Sequence, residues 1–282
     1  MKRIVTIQDI SCVGKCSVTV ALPIISAMGV ETAVIPTAVL STHTMFSGYT
    51  FLDLTSEIEK ITAHWKKEAL GFDAIYTGYL GSFDQLEIVC GIFDEFGNEN
   101  NTIFVDPVMG DGGALYPGFT PEFAKAMASL CAKADVIVPN ITEACFMLGV
   151  PFIKPPYKKE DIEDLLKRFA DMGVRRPCLT GIAYEEGKTG VVTFNPKEGS
   201  FYSFDHDRVP ASYHGTGDIF ASACVGALMN GLTLEKSLSL AALFTAESIK
   251  ITYEGGKKQW YGVDFEYVLP KLSDMLNKAE TL

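Results

Sequence analysis

The chain has 282 residues, 48% of them hydrophobic, which is enough apolar material for one large self-sufficient domain. Its 24 basic and 35 acidic residues give a net charge of −11, which argues against nucleic acid or an anionic membrane surface as the main partner. The first residues lead directly into a strand-like run without a signal-peptide core, and no apolar run approaches the roughly 18 residues of a membrane span, so we expect a cytoplasmic protein.

Short β-branched runs alternate with longer runs at helical spacing, which predicts an α/β protein whose strands are joined by crossover helices in a mostly parallel sheet. The predicted strands are 3–8, 33–39, 73–77, 101–106, 135–138, 177–181, 190–194 and 200–204. The predicted helices are 15–28, 55–69, 83–96, 120–132, 142–148, 159–172, 216–230, 234–250 and 264–278. No repeat or linker interrupts the pattern, so we expect a single domain over residues 1–282.

Cysteine spacing predicts neither disulfides nor zinc. The seven cysteines are an odd number and lie mostly in apolar segments, which is typical of small core residues. Cys12 and Cys16 have no second pair to complete a metal site.

The run His214-Gly215-Thr216-Gly217-Asp218 opens the helix predicted at 216–230. A helix start offers unpaired N–H groups and a partial positive charge, so this run predicts a phosphate site with a carboxylate beside it. The same dipole predicts a lowered pKa for Asp218. The alternative is an ordinary turn followed by an ordinary first-turn acid.

Two further acidic clusters follow predicted strands. Asp106 and Asp111 flank Pro107 and Gly110, and two such carboxylates suit Mg²⁺, which also takes waters and substrate phosphates as ligands. The alternative is a solvated turn. Because ligands of open α/β sheets bind beyond the carboxyl ends of the strands, we expect all the clusters at one edge.

The third cluster, Asn140 and Glu143, lies at the start of the helix predicted at 142–148. The spacing of three residues lets both side chains face one way, where Glu143 could fix a metal-bound water. The alternative is a capping box, with Asn140 as the N-cap and Glu143 at the third helical position. The sequence leaves both open.

The segment 13–17 does not match a phosphate-binding P-loop. Such a match needs Gly at position 9 and Ser or Thr at position 16, where the chain has Asp9 and Cys16. Asp9 nevertheless ends a predicted strand and is a candidate ligand residue. The loops 41–50 and 77–82 carry Thr44 and Tyr79, which suit a flat heteroaromatic ligand. The loops 41–50 and 109–119 are expected to be flexible enough to close over substrates.

Taken together, these motifs resemble those of the pyridoxal (vitamin B6) kinases of the ribokinase superfamily over nearly the full chain. The resemblance rests on Ile7-Gln8, Ser41-x-His43-Thr44, Thr77-Gly78-Tyr79-Leu80-Gly81-Ser82, Asp106-Pro107-Val108-Met109-Gly110-Asp111, Pro139-Asn140-x-x-Glu143-Ala144 and Gly215-Thr216-Gly217-Asp218. The last motif is shared across the superfamily, and the first three separate the B6 branch from most sugar kinases.

The resemblance implies a three-layer α/β/α Rossmann-like ribokinase fold with a central, mostly parallel sheet, usually as a homodimer. The implied reaction moves the γ-phosphoryl group of MgATP to the 5′-hydroxyl of pyridoxal, pyridoxine or pyridoxamine. The implied site residues are Asp218 as catalytic base; Gly215, Thr216 and Gly217 as anion hole; Asp9, His43, Thr44 and Tyr79 for the substrate; Asn140, Thr180 and Thr216 for ATP; and Asp106, Asp111 and Glu143 for the metal.

Two positions depart from the family pattern. Many relatives have Ser at the position of Asp9 and Thr at that of Val138. Asp9 leaves the preferred vitamer open, and Val138 weighs against a requirement for a monovalent cation such as K⁺. The related hydroxymethylpyrimidine kinases are the nearest rival assignment. A non-catalytic B6 or nucleotide sensor is a second alternative, which the presence of both Asp218 and Glu143 argues against.

Overall fold

The computed structural model describes residues 1–256 and 260–281. The chain divides into two compact units, one formed by Met1–Tyr76 with Arg208–Leu282 and the other by Thr77–Asp207. The single domain over 1–282 stays a prediction.

Strands and helices alternate along most of the chain. In chain order they are β1 (Arg3–Ser11), α1 (Val18–Ala27), β2 (Glu31–Leu40), β3 (Phe51–Asp53), α2 (Thr55–Lys67), β4 (Ala74–Thr77), α3 (Phe83–Phe96), β5 (Thr102–Val105), β6 (Gly110–Asp111), β7 (Ala114–Leu115), α4 (Pro121–Cys131), β8 (Val136–Ile137), α5 (Ile141–Leu148), α6 (Lys159–Asp171), β9 (Arg176–Thr180), β10 (Lys188–Asn195), β11 (Ser200–Asp207), α7 (Thr216–Met229), α8 (Leu234–Glu254), a 3₁₀ turn (Phe265–Tyr267) and α9 (Leu269–Thr281).

In the first unit the strands lie in the order β4, β1, β2, β3. β1 and β2 are parallel, and the short β3 runs antiparallel to β2. Ile4, Val5 and Ile7 of β1 are at most 1% exposed, as expected for a parallel strand covered on both faces. α7 packs against α1 and α8, and its small residues permit the close approach, since a Cβ at Gly226 would overlap with the sulfur of Met28.

In the second unit the strands lie in the order β11, β10, β9, β8, β5. β5, β8 and β9 are parallel, whereas β10 pairs antiparallel with both β9 and β11. The separate hairpin of β6 and β7 places Asp111 opposite Ala114. Both units contain parallel strand pairs whose strands alternate with helices along the chain. This confirms the predicted α/β class.

Each predicted strand and helix has a counterpart, with four differences. The short β3 was not predicted, because its three residues are too few for an alternating pattern. The helix predicted from 15 begins at Val18, because Ser17 has φ 50°, a left-handed value outside helical geometry. The helix predicted from 264 begins at Leu269, because Pro270 is tolerated in a first turn but not in a helix interior. The loop predicted at 109–119 contains the β6–β7 hairpin, whose turn residues Gly112 and Gly113 both have positive φ (60° and 86°).

All seven cysteines are free. Five of them, Cys16, Cys131, Cys145, Cys178 and Cys224, are buried, as predicted for small core residues. Within the described ranges, no helix combines the length and the hydropathy needed to cross a bilayer.

Candidate active site

The N-terminus of α7 is open to a ligand. Gly215 is its N-cap, with φ 81°, and no side chain caps the helix there. A Cβ at Gly215 would overlap with the carbonyl oxygen of Lys15, so glycine is required both by the left-handed backbone and by the close approach of the loop before α1. The first N–H groups of α7 are therefore left without a side-chain cap, which is the arrangement that binds anions.

Asp218 lies in the first turn of α7. Burial raises the pKa of its carboxyl group to about 7, the backbone N–H of Ser17 opposes that rise, and the charge of Asp9 adds to it. The sequence-based expectation of a lowered pKa is therefore wrong, because loss of hydration outweighs the helix dipole at this position. A carboxyl group that titrates near neutral pH is well matched to the work of a general base.

Asp9 lies at a bulge in β1, where the register with β2 shifts between Gln8 and Ile10. It is 4% exposed. Its Oδ2 accepts a hydrogen bond of 2.9 Å from Ser11 Oγ, and its Oδ1 accepts one from Ser17 Oγ. Burial raises the pKa of Asp9, and the two serine hydroxyls oppose the rise. Both carboxylate oxygens of Asp9 are thus bonded within the protein.

Lys15 fixes the loop that faces Gly215. Its Nζ lies 2.7 Å from Asp264 Oδ1 and 2.8 Å from Glu266 Oε2. The side chains of Lys15 and Asp264 are 17% and 9% exposed, so this pair is better shielded from solvent than an ordinary surface pair, whereas Glu266 is 51% exposed. The loop between β1 and α1 is thereby tied to the 3₁₀ turn near the C-terminus.

Both ring nitrogens of His43 form hydrogen bonds within the protein. The N–H of Met45 donates to Nδ1 at 3.2 Å, and Nε2 lies 3.0 Å from the carbonyl oxygen of Tyr261. Since Nδ1 accepts, the proton belongs on Nε2, which donates to the carbonyl. The ring of His43 lies 4.6 Å from that of His214, and burial lowers the pKa of His214 to about 4. Burial lowers the pKa of His43 as well, so both imidazoles are neutral. His43 is 2% exposed, and the ring of Phe46 also lies 4.9 Å from its ring.

In the second unit, Asn140 and Glu143 form the capping box of α5. The side-chain oxygen of Asn140 accepts from the N–H groups of Thr142 (2.8 Å) and Glu143 (3.1 Å), and Glu143 Oε2 accepts from the N–H of Asn140 at 2.9 Å. The capping alternative is thus present in the structure. Capping still leaves lone pairs on the carboxylate oxygens of Glu143 for a metal ion, because each such oxygen has more than one.

Glu143 also binds the segment that leads into β6. Its Oε1 accepts from the N–H of Met109 at 3.0 Å. Burial raises the pKa of Glu143 to about 8, the backbone N–H groups that it accepts from oppose the rise, and the charge of Asp111 adds to it. The side chain is 3% exposed. A buried acid with a second acid near it is a place where a cation would be stabilised.

The β6–β7 hairpin is held against the start of α5. Asn140 Nδ2 donates to the carbonyl oxygen of Gly110 at 2.8 Å, and the N–H of Gly113 donates to Thr142 Oγ1 at 2.9 Å. Asp111, at the exposed end of the hairpin, accepts from the N–H of Gly112 at 2.7 Å. The segment predicted to be a flexible loop is therefore anchored at its base by the capping residues.

Two more predicted ligand residues, Thr180 and Asp106, lie near this cluster. Thr180 forms an isolated parallel bridge with Asn140, so two predicted ATP residues are neighbours. Asp106 is 5% exposed, and its charge acts together with that of Glu143 to raise the pKa of the Cys131 thiol, after burial as the main cause. The structure thus brings Asp106, Asp111 and Glu143 into one region of the second unit.

These acids fit a magnesium ion that takes most of its ligands from water and phosphate. Within residues 1–256 and 260–281, no group of three or more His, Cys, Asp or Glu side chains could hold a metal ion alone. Asp111 is exposed and Glu143 is buried beside it, so their mutual repulsion would be relieved by a cation. This donor set matches the one or two carboxylates that Mg²⁺ uses.

Tyr79 and Thr44 lie in different units. The ring of Tyr79 lies 5.6 Å from that of Phe119, and a Cβ at Gly81 would lie 3.3 Å from the Tyr79 ring. Thr44 is exposed in the loop after β2. Tyr79 therefore belongs to an aromatic cluster of the second unit, and its contact with a substrate stays a prediction.

Sequence reasoning missed Ser17, Ser11 and Thr142. Ser17 and Ser11 bind Asp9, and Thr142 binds the hairpin. A signal for Thr142 was present, because it stands between two capping residues. Ser17 gave none, since a serine with φ 50° cannot be recognised from neighbouring residue types.

A family model described as phosphomethylpyrimidine kinase matches residues 20–262 of the chain. Among solved structures, the chain is 40% identical to a "putative phosphomethylpyrimidine kinase" from Bacteroides thetaiotaomicron in an orthorhombic crystal form with pyridoxal, with a TM-score of 0.91 and 96% of each chain covered. It is 29% identical to pyridoxal kinase from Lactobacillus plantarum, with a TM-score of 0.90 and coverage of 99% of this chain and 98% of that one.

Among curated proteins, the chain is 32% identical over 190 residues to a "putative pyridoxine kinase" of Staphylococcus epidermidis. That match covers 64% of each protein, so it spans less than two thirds of the relative's length. The structural likeness confirms the predicted ribokinase-like α/β fold with its central, mostly parallel sheet.

Proposed function

We propose that this chain, which belongs to the phosphomethylpyrimidine kinase family, transfers the γ-phosphoryl group of ATP to the 5′-hydroxyl of a B6 vitamer. The observation that carries the proposal is the start of α7, where Asp218 lies in the first turn behind the open helix end at Gly215. A base that titrates near neutral pH and a set of uncapped amides are what phosphoryl transfer to an alcohol requires. The enzyme is thus a phosphotransferase with an alcohol acceptor.

The comparisons support a pyridine substrate. The Bacteroides relative contains pyridoxal in its crystal, and two further relatives are named pyridoxal kinase and "putative pyridoxine kinase". We assign Thr44, Tyr79, His43 and Asp9 to the substrate, as the family resemblance implies. Both nitrogens of His43 are already engaged within the protein, so in this assignment His43 contributes to the substrate site without a hydrogen bond of its own to the vitamer.

Asp218 accepts the proton of the attacking hydroxyl in the proposed mechanism. The N–H groups of Gly215, Thr216 and Gly217 donate to the transferred phosphoryl group as negative charge builds on its oxygens. Phosphoryl transfer passes through a loose transition state, so the proton leaves late and alignment matters more than base strength. The raised pKa of Asp218 helps at this late stage, because a more basic carboxylate takes the proton more readily.

We assign the nucleotide to Asn140, Thr180 and Thr216, and the magnesium ion to Asp106, Asp111 and Glu143. When bound, Mg²⁺ neutralises charge on the nucleotide phosphates. The protein's part is to hold the acids in place, which the capping box does for Glu143 and the anchored hairpin does for Asp111. A monovalent cation such as K⁺ is left open, with Val138 weighing against it.

A homodimer and a cytoplasmic location belong to the same proposal. The family resemblance supports the homodimer. Small-molecule substrates are the expected partners, in keeping with the net charge of −11.

A hydroxymethylpyrimidine kinase is the second candidate. The description of the family model and the name of the Bacteroides relative favour it. The pyridoxal in that relative's crystal favours the B6 vitamers. Both candidates share the phosphoryl-transfer chemistry and differ only in the ring that carries the hydroxyl.

A substrate panel distinguishes the candidates. ADP release would be measured at fixed MgATP with pyridoxal, pyridoxine, pyridoxamine and hydroxymethylpyrimidine, with the Asp218→Asn variant as the background control. We expect kcat/KM for the best vitamer to exceed that for hydroxymethylpyrimidine by at least about tenfold. A higher value for hydroxymethylpyrimidine would favour the second candidate, and binding without ADP release from any compound would indicate a sensor.

A further inference from the structure

Ser17 lies between the carboxylates of Asp9 and Asp218. Its side-chain hydroxyl donates to Asp9 Oδ1, and its backbone N–H lowers the pKa of Asp218. The preceding residue, Cys16, lies against the start of α7, where a Cβ at Gly215 would come within 3.4 Å of the Cys16 Cα. Ser17 is 5% exposed. One residue therefore binds a buried acid on β1 through its side chain and presents its main chain to the candidate base on α7.

The backbone of Ser17 is strained. Its φ of 50° and ψ of −136° lie outside the regions that residues with a Cβ ordinarily adopt. Such strain costs on the order of one to three kcal/mol and persists only where the surroundings enforce it. Within the described ranges, Ala69 is the one other non-glycine residue with positive φ.

Two features enforce this conformation. The hydroxyl of Ser17 is bonded to Asp9, and the carbonyl oxygen of Ser17 accepts from the N–H groups of Val20 (3.0 Å) and Ala21 (2.9 Å) in the first turn of α1. Asp9 is itself fixed by Ser11 and lies at the β1 bulge, a feature that commonly re-aims a side chain next to an active site. Asp9 at the β1 bulge and the strained Ser17 thus hold each other in place.

We propose that Ser17 and Asp9 are positioning residues for Asp218. Ser17 directs its main-chain N–H towards the base. Asp9 holds Ser17 in the strained conformation and places a fixed negative charge near the base. This assignment rests on the proposed function of Asp218. It adds to the substrate contact assigned to Asp9, because each Asp9 oxygen that accepts from a serine hydroxyl keeps a further lone pair.

The two residues act on the base in opposite directions. The charge of Asp9 raises the pKa of Asp218, and the N–H of Ser17 lowers it. The other titratable group facing this pair is the buried thiol of Cys16, whose pKa is raised well above its usual range by burial and by both acids, so it stays neutral. His43 faces Asp9, and its neutral ring adds no charge at neutral pH. The charge of Asp9 is therefore the main nearby charge that a substitution can remove.

The test is the pH profile of kcat/KM for pyridoxal, from about pH 5 to about pH 9, in four variants. The acid limb of this profile, where activity falls as pH is lowered, reports the pKa of Asp218. In Asp9→Asn the side chain keeps its size and loses its charge, so the acid limb should move to lower pH by about one unit. Ser11→Ala is the matched control, since it removes a hydrogen bond from the same carboxylate without touching Asp218; its acid limb should stay in place.

Ser17→Ala and Ser17→Gly test the strain. Alanine loses the hydroxyl that holds φ positive, so the N–H should turn away from Asp218, raising the acid limb and lowering kcat about tenfold. Glycine also loses the hydroxyl but adopts positive φ freely, so it should retain most of the activity and a wild-type acid limb. Equal profiles for the two Ser17 variants, or an unmoved acid limb in Asp9→Asn, would overturn the proposal.

A readout without turnover separates this inference from the proposed function. The ¹³C carboxyl resonance of Asp218, assigned by its loss in Asp218→Asn, would be titrated in the wild type and in Asp9→Asn. The expected result is a lower midpoint in Asp9→Asn, and an unchanged midpoint contradicts the inference even if a Ser17 variant fails to fold. If the wild type phosphorylates no compound of the panel, the proposed function fails, and the titration still decides whether Asp9 acts on Asp218.

Discussion

Gly215 lies so close to the carbonyl oxygen of Lys15 that no side chain fits between them. The contact joins the N-terminus of α7 to the loop after β1, and Lys15 is in turn held by Asp264 and Glu266. The open helix end and the loop that carries Ser17 are therefore fixed as one structure. The candidate anion site depends on this packing as much as on its own amide groups.

Gly215→Ala should destabilise the protein by more than about 2 kcal/mol, because the new Cβ needs both a backbone shift and a left-handed alanine. Gly29→Ala is the matched control, since Gly29 has a similar φ of 77° but nothing within 4 Å of its Cβ position. It should cost about 1 kcal/mol. Chemical denaturation measures both, and equal losses would show that the approach to Lys15 does not matter.

Asp111→Asn should raise the Mg²⁺ concentration needed for half-maximal activity, while the free energy of unfolding stays within about 0.5 kcal/mol of the wild type. Asp111 is exposed and its Oδ1 is bonded only to the adjacent Gly112 N–H, so its removal disturbs little of the fold. Magnesium titration at saturating substrate makes the measurement. An unchanged magnesium dependence would remove Asp111 from the metal site.

Glu143→Gln should behave differently, with a loss of about 1–3 kcal/mol in the free energy of unfolding. Both carboxylate oxygens of Glu143 accept from backbone N–H groups, and an amide would present an NH₂ group to one of these donors. Thermal denaturation without nucleotide makes the measurement. A variant as stable as the wild type would show that the capping box contributes little.

The stability of the wild type should fall as pH rises from about 6.5 to about 8. In this window Glu143, with a pKa of about 8, and Asp218, with a pKa of about 7, hold protons in the folded state that the unfolded chain releases. Below about pH 6.5 the buried neutral ring of His214, with a pKa of about 4, acts in the opposite sense, because the unfolded chain then binds its proton. Each group contributes up to about 1.4 kcal/mol per pH unit within its range. Denaturation at several pH values checks this, and the Asp218→Asn variant should show the shallower slope. A stability that rises across this range would contradict the raised pKa values.

The sequence predicted the elements of the fold well because each depends on a local pattern. The glycines and the acid at 215–218 mark a helix start by themselves, as Asn140 and Glu143 do. The pKa of Asp218 was predicted in the wrong direction, because loss of hydration on burial, with the charge of Asp9 adding to it, outweighs the local dipole. The pairing of Asp9 with Ser11 and Ser17 depends on a β bulge and a strained φ, for which residue types gave no signal.

The hairpin of β6 and β7 was only partly predictable from the sequence. Asp111-Gly112-Gly113 carries the residue types of a two-residue hairpin turn, so the turn was predictable. Its anchoring to Thr142 and Asn140 was not, since those contacts join segments about thirty residues apart. Long-range hydrogen bonds of this kind decide which predicted site residues become neighbours.

The most direct test of the proposed phosphoryl transfer is product formation from pyridoxal and ATP by the wild type and Asp218→Asn, with the phosphate ester identified by mass spectrometry. The proposal predicts pyridoxal 5′-phosphate from the wild type and a kcat lower by on the order of 10²–10⁴ in the variant, with ATP binding much less affected. A variant that keeps more than about a tenth of the wild-type kcat would contradict the role of Asp218 as catalytic base, and a wild type that forms no ester would contradict the proposed function itself.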